Sequence, residues 1–155
     1  MLHVVLLEPE IPFNCGNIGR TCLAAGARLH LVGRLGFHLD GPQVRRAGLD
    51  YWEHVDPVRH VTWEDFLTTL IPGANLHFFS TKGGRGLWDI PFRDGDYLVF
   101  GRETAGFPAE FHEKYCDRMV AIPQVEGPVR SLNLSTAAGI VLYEAVRQVR
   151  KGGFS

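Results

Sequence analysis

Residues 98–108, Leu-Val-Phe-Gly-Arg-Glu-Thr-Ala-Gly-Phe-Pro, decide how this chain is read. An apolar run of strand character stops in two glycines, Gly101 and Gly106, that bracket the acidic Glu103. A Walker-type phosphate cradle needs Gly-Lys-Ser/Thr, and a dinucleotide fingerprint needs its glycines after the first strand, opening a long helix. Neither pattern is met. The loop offers backbone groups and a carboxylate, a combination better suited to an uncharged or cationic ligand than to a polyphosphate.

Outward from this stretch, strand and helix signals alternate. Residues 3–7, 29–33, 76–80, 97–101 and 118–122 are short apolar runs, several without a polar position, as in strands covered on both faces. Helical segments are predicted over 17–26, with Asn17 as its cap, over 63–71, capped by Thr62 with Asp65 in the capping-box position, and over 109–115, with Pro108 opening it. The strongest is 133–150, where Ala137, Ala138, Val141, Leu142, Ala145, Val146 and Val149 recur at core spacing and Ser131 or Ser135 is the candidate cap. The longest irregular piece is 81–96. The pattern predicts an α/β fold with a mostly parallel sheet flanked by helices, in one domain spanning 1–155. Open parallel sheets bind ligands beyond the carboxyl ends of their strands. The polar, glycine-rich segments 14–20, 80–84, 101–106 and 123–135 are expected there, forming a pocket.

Composition narrows the function classes. The chain has 155 residues, 45% hydrophobic and 21% charged, with a formal net charge of −1, which excludes a strongly basic coat but leaves room for local basic faces. Arg45-Arg46 is one such concentration, and Arg147, Arg150 and Lys151 form another. No apolar run reaches the ~20 residues of a membrane helix, and the amino terminus reads as a buried strand rather than a leader. Cys15, Cys22 and Cys116 form no Cys-x-x-Cys pair, which favours a reducing cytoplasm over a disulfide framework. Seven scattered histidines form no His-Glu-x-x-His, so no metal is expected.

Three ordered segments, Asn17-Ile-Gly-Arg20, Phe100-Gly-Arg-Glu-Thr-Ala-Gly106 and Ile122-Pro through Arg130-Ser-Leu-Asn-Leu-Ser135, resemble the three motifs of the SPOUT class of RNA methyltransferases. Within that class the chain is most similar to the subgroup that methylates the 2′-hydroxyl of the wobble cytidine or uridine in tRNA. Leu7-Glu-Pro-Glu-Ile-Pro12, Leu35-Gly-Phe37, residues 45–51 and Asp96-Tyr97 match as well. The resemblance implies a deep carboxyl-terminal trefoil knot, S-adenosyl-L-methionine as cofactor, a homodimer that brings two chains to the active site, and tRNA, leucine tRNAs among them, as substrate. Carried over position by position, it implies that Phe79, Gly101, Ile122, Ser131 and Leu132 hold the cofactor, and that Arg20 and Asn133 serve catalysis. Arg45, Arg46 and Arg130 would contact RNA. Arg102 and Ala105 depart from the usual second motif, which has proline and arginine there.

On this reading a methyl group passes from a sulfonium to a ribose hydroxyl. Arg20 either activates that hydroxyl or stabilises the developing alkoxide and orients a phosphate. A guanidinium pKa above ~12 weighs against the free base. Glu103 is placed to pair with Arg20 or Arg130, or to make a structural hydrogen bond. The rival readings are a non-catalytic RNA-binding dimer with the same fold and, more remotely, a small nucleotide-dependent oxidoreductase.

Overall fold

The computed structural model describes residues 1–150, apart from the side chains of 48 and 49; Lys151 of the basic carboxyl end lies outside the described residues. The strands are β1 (His3–Leu7), β2 (Arg28–Val32), β3 (Val58–His60), β4 (Leu76–Phe79), β5 (Arg85–Gly86), β6 (Tyr97–Phe100) and β7 (Met119–Ala121). The helices are α1 (Pro12–Ala25), α2 (Pro42–Gly48), α3 (Trp52–Val55), α4 (Trp63–Thr68), α5 (Ala109–Lys114) and α6 (Leu134–Val149). The strands form one sheet in the order β3-β2-β1-β6-β4-β7-β5, and every pair in it is parallel.

Alternation along the strands feeds two cores. On β1, Val4 and Leu6 join Cys15, Ile18 and Cys22 of α1 and Ala138, Val141 and Leu142 of α6 on one face. Val5 and Leu7 face the other side, against Trp63 and Phe66 of α4 and Phe111 of α5. Removing a large apolar side chain such as Phe66, Phe78 or Leu142 from water contributes about 1.5–3 kcal/mol each.

The carboxyl-terminal elements interleave with the middle of the chain. Strand β7 lies between β4 and β5, which residues 80–84 join, so that link crosses over β7. Ser80 N–H donates to Val120 O at 2.9 Å. Gly83 passes so close that a Cβ there would stand 2.4 Å from the Val120 carbonyl carbon.

Four local expectations change. Helix α1 begins at Pro12, five residues before the expected start, so Asn17 lies inside the helix and caps nothing. The glycines of 14–20 are therefore not loop glycines: Gly19 is where the ring of Trp52 packs, and a Cβ would meet it at 2.9 Å. Asn133, rather than Ser131 or Ser135, caps α6. Segment 81–96 holds β5 and a 3₁₀ turn over Leu87–Asp89. Thr62 caps α4 as expected, accepting from Asp65 N–H at 3.0 Å, and Pro108 stands one position before α5.

Candidate active site

A cavity of about 480 Å³ opens at the carboxyl ends of β4, β6 and β7, within the range that takes a small-molecule ligand. Its apolar floor includes Phe79 and Phe100, stacked at a centroid distance of 5.1 Å, with Val120, Leu134 and Ala137. Ser80, Thr81, Lys82, Gln124 and Ser131 supply polar lining. Phe79, Gly101, Ile122, Ser131, Leu132 and Asn133, six of the residues singled out from sequence, all line this one cavity.

The loop after β6 is shaped by its glycines. Arg102 and Gly106 exchange backbone hydrogen bonds at 3.1 and 2.9 Å, and Gly106 adopts φ +63°, in the left-handed region that glycine enters freely. A Cβ on Gly101 would lie 2.5 Å from the Gly106 carbonyl carbon, so only glycine allows the two ends of the loop to approach this closely.

Glu103 is not paired with Arg20 or Arg130. Its carboxylate accepts from the N–H groups of Glu10 and Ile11 at 2.8 and 3.0 Å and from Asn14 Nδ2 at 3.4 Å. Ile11, at the N-cap of α1, has no side-chain cap of its own, and the first turn has no acidic residue. Glu103 thus supplies from a distant loop the negative charge that a helix start favours. Glu10 answers by accepting from Thr104 N–H at 3.2 Å and Thr104 Oγ1 at 2.8 Å. The Thr104 hydroxyl, then its backbone N–H, hold the Glu10 carboxyl below its ordinary range.

Asn14, buried at the cavity wall, continues the network. Its Oδ1 accepts from Asn133 Nδ2 at 3.1 Å. Asn133 Oδ1 accepts in turn from Ser135 N–H and Thr136 N–H at 2.9 and 3.3 Å and from Ser135 Oγ at 2.6 Å. Asn133 is therefore not the buried amide awaiting a ligand that its two leucine neighbours suggest; it is exposed, and both ends of its amide are engaged. One chain of hydrogen bonds, Glu103–Asn14–Asn133, ties the starts of α1 and α6 to the loop after β6.

The remaining candidates lie outside the cavity lining. Arg20 is exposed on the third turn of α1, with its guanidinium 5.3 Å from the ring centroid of Tyr51. Arg45 and Arg46 are exposed on α2, and Arg130 is exposed in the segment before α6. Lining residues that sequence reasoning did not select are Asn14, Lys82, Arg102, His112 and Gln124. Asn14, Lys82 and Gln124 fall within the polar segments 14–20, 80–84 and 123–135 expected at the pocket, and Arg102 falls within the second motif; nothing local marks His112. The buried thiols of Cys15 and Cys22 are pushed up to about 12 by burial, which makes them packing groups rather than nucleophiles. Among the described residues no helix is long and apolar enough to cross a membrane.

Comparison with known proteins agrees with this geometry. A tRNA (cytidine(34)-2′-O)-methyltransferase of Saccharophagus degradans is 46% identical over 154 residues, covering 99% of each chain. The Burkholderia ambifaria protein of the same name is 44% identical over 150 residues, 96% of each. A solved structure concerned with the 2-OH methylation of C/U34 on tRNA superposes with a TM-score of 0.87 at 49% identity, covering 96% of this chain and 95% of that one. The SpoU methyltransferase AviRb of Streptomyces viridochromogenes, in complex with AdoMet, superposes at 0.83 with 28% identity, over 96% of this chain and 60% of that one. Residues 1–143 match the SpoU rRNA Methylase family, and the chain belongs to that family.

Proposed function

We propose that this protein is an S-adenosyl-L-methionine-dependent tRNA methyltransferase that modifies the 2′-hydroxyl of the wobble cytidine or uridine, leucine tRNAs being among its substrates. The observation that carries the reading is the cavity at the ends of β4, β6 and β7, with its apolar floor, polar lining and close-packed glycine loop, in a chain of a methylase family. The cofactor fits this cavity in volume and in donor chemistry. Phe79 and Ile122 offer apolar faces, Gly101 offers backbone approach, and Ser131 and Leu132 also line the cavity. Bound there, S-adenosyl-L-methionine supplies an activated methyl group, and no metal is called for.

The chain's own residues then have to orient the ribose and stabilise charge. Holding two reactants in near-attack geometry contributes several kcal/mol, up to ~7–11 in ideal cases. Asn133 and Asn14 fix the cavity wall. Arg20, permanently charged, stabilises the developing alkoxide and orients a phosphate. Arg20 does not line the cavity of its own chain, which supports a homodimer in which a second copy delivers it. The crossing of residues 80–84 over β7 supports the trefoil knot. Arg45, Arg46 and Arg130 contact RNA phosphates, and the enzyme works in the cytoplasm.

The test is direct. Calorimetry with S-adenosylhomocysteine should give saturable binding. Incubation with bulk tRNA lacking the wobble methyl should deposit one methyl group at the wobble ribose, read by mapping the modified nucleotide. Arg20→Ala should cut turnover at least ~100-fold, the scale of losing a charge-stabilising donor, while leaving S-adenosylhomocysteine binding unchanged. Absence of binding, or a methyl group elsewhere, overturns the reading.

A further inference from the structure

We propose that Arg102 and Glu8 form a gated phosphate site, in which the Arg102 guanidinium takes a phosphate of the RNA strand beside the target ribose; this rests on the tRNA methyltransferase reading above. Arg102 follows β6 and lines the cavity. Its Nε is buried and has no hydrogen-bond partner among the described residues. Its Nη1 lies 3.8 Å from Glu8 Oε2, well beyond the ~2.7–2.9 Å of a charge-assisted hydrogen bond. A group with five donors in a fixed fork is thus held by a loose ion pair, and among the described residues no acceptor meets its Nε. The neighbouring Glu103 cannot provide one, because its carboxylate is committed to Glu10, Ile11 and Asn14.

The carboxylate opposite Arg102 is held in place by special backbone. Glu8 adopts φ 47°, a region that non-glycine residues rarely enter. Gly33 leaves it room, since a Cβ there would meet Glu8 Cγ at 2.8 Å. Both side chains remain about one-third exposed, 34% for Arg102 and 39% for Glu8, so a polymer can reach them. Their position also suits a strand passing over the site. Glu8 follows β1, on the side of β6 away from β4 and β7. The same turn is bonded to the segment that leads into α2, Gly36 N–H donating to Pro9 O at 3.0 Å. The Glu8 turn is thus tied to the segment leading into the helix that carries Arg45 and Arg46. In this arrangement Glu8 occupies the cation until a phosphate, which accepts from the Nη groups of this partly exposed side chain, replaces it.

The test uses the full chain saturated with S-adenosylhomocysteine and bulk tRNA lacking the wobble methyl. Arg102→Ala should weaken tRNA binding about ten- to a hundredfold, the scale of one hydrogen bond to a charged group. It should also lower the salt slope by about 0.7–1, as for one phosphate contact, and leave S-adenosylhomocysteine affinity within about twofold. Arg102→Lys should recover only part of the loss, because an ammonium lacks the fork. Glu8→Gln should tighten tRNA binding and leaves a folded protein to measure should Arg102→Ala not fold. Weakened S-adenosylhomocysteine binding with unchanged tRNA affinity in Arg102→Ala would assign the cation to the cofactor's carboxylate and overturn the proposal. Unchanged tRNA affinity in Glu8→Gln would overturn the gate. A wild-type chain that binds neither probe overturns the methyltransferase reading itself, whereas wild type binding both, with variants behaving like it, overturns this inference alone.

Discussion

Glu103 sits in the motif that first marks this chain, yet its contacts are with backbone N–H groups and one amide rather than with a cation. Its charge completes the start of α1, where no local side chain caps the helix, and through Asn14 it fixes Asn133 at the start of α6. Loss of a helix cap costs about 0.5–2 kcal/mol. Glu103→Ala should therefore lower the melting temperature by roughly 1–8 °C, taking about 2–4 °C per kcal/mol for a chain of this size. Glu103→Gln, which keeps one acceptor oxygen, should lose less. Scanning calorimetry of the two variants checks the order, and equal losses would mean that the charge, not the acceptor, matters. The same carboxylate aligns the cavity loop, so S-adenosylhomocysteine affinity should fall in parallel with melting temperature. Arg20 presents the opposite case. Its partner is the face of Tyr51, an exposed cation–π contact of about 0.5–1 kcal/mol, enough to bias a side chain without locking it.

Three strands each place one histidine on the same face of the sheet. His3 Nδ1 lies 2.9 Å from His30 Nε2, and His30 Nδ1 lies 3.0 Å from His60 Nε2. A neutral ring donates at one nitrogen and accepts at the other, so the row closes with all three rings neutral; a charged His30 would donate to both neighbours, and it is burial that opposes its charge. Burial first, then the charges of His3, His60 and Arg28, depress His30 from 6.5 to about 3. Between these values the unfolded chain binds a proton that the native chain refuses. Stability is therefore complete above about 6.5 and falls as pH drops toward 3, by at most ~1.4 kcal/mol per pH unit from this ring. Urea unfolding at about pH 7.5 and about pH 5, above the carboxylate range, should show this loss, and a His30→Phe variant should show a flatter dependence. The row also marks what sequence carries at the scale of elements. Strands β1, β4 and β6 and the helices α4 and α6 were legible because each holds an apolar run, a repeat of core spacing or a local cap. Strands β3 and β5, of three and two residues, are too short for any periodicity, and pairing with β2 and β7 makes them strands. The start of α1 was misread because its cap is supplied by Glu103, far along the chain, and because Gly16 and Gly19 resemble loop glycines although Gly19 serves packing against Trp52. The cavity residues were legible through motif resemblance, whereas the unpartnered Nε of Arg102 is a fact of three-dimensional placement that no spacing encodes.

The whole molecule poses a geometric problem that one chain leaves open. The cavity is built by the ends of β4, β6 and β7, while Arg20 projects from the third turn of α1 and does not line it. Large apolar side chains remain exposed near the start of the same helix and on α6, with Phe13 at 44% and Tyr143 at 42%. A symmetric pair of chains answers both observations if each covers the other's apolar surface and presents its Arg20 to the other's cavity. Complementation tests this with two variants that should each be inactive, Arg20→Ala, whose cavity is intact, and Ser131→Trp, whose arginine is intact but whose cavity is blocked. Unfolded and refolded together, they form mixed pairs in which one of two sites combines an open cavity with a partner's arginine. Random pairing should then restore about one quarter of wild-type activity, half the pairs being mixed and half of their sites complete. If Arg20 served its own chain, every open cavity would lack its arginine and the mixture would stay inactive. Light scattering on the same mixture separates that outcome from failure to pair: inactive dimers would place Arg20 in its own chain's site, and inactive monomers would remove the homodimer from the mechanism.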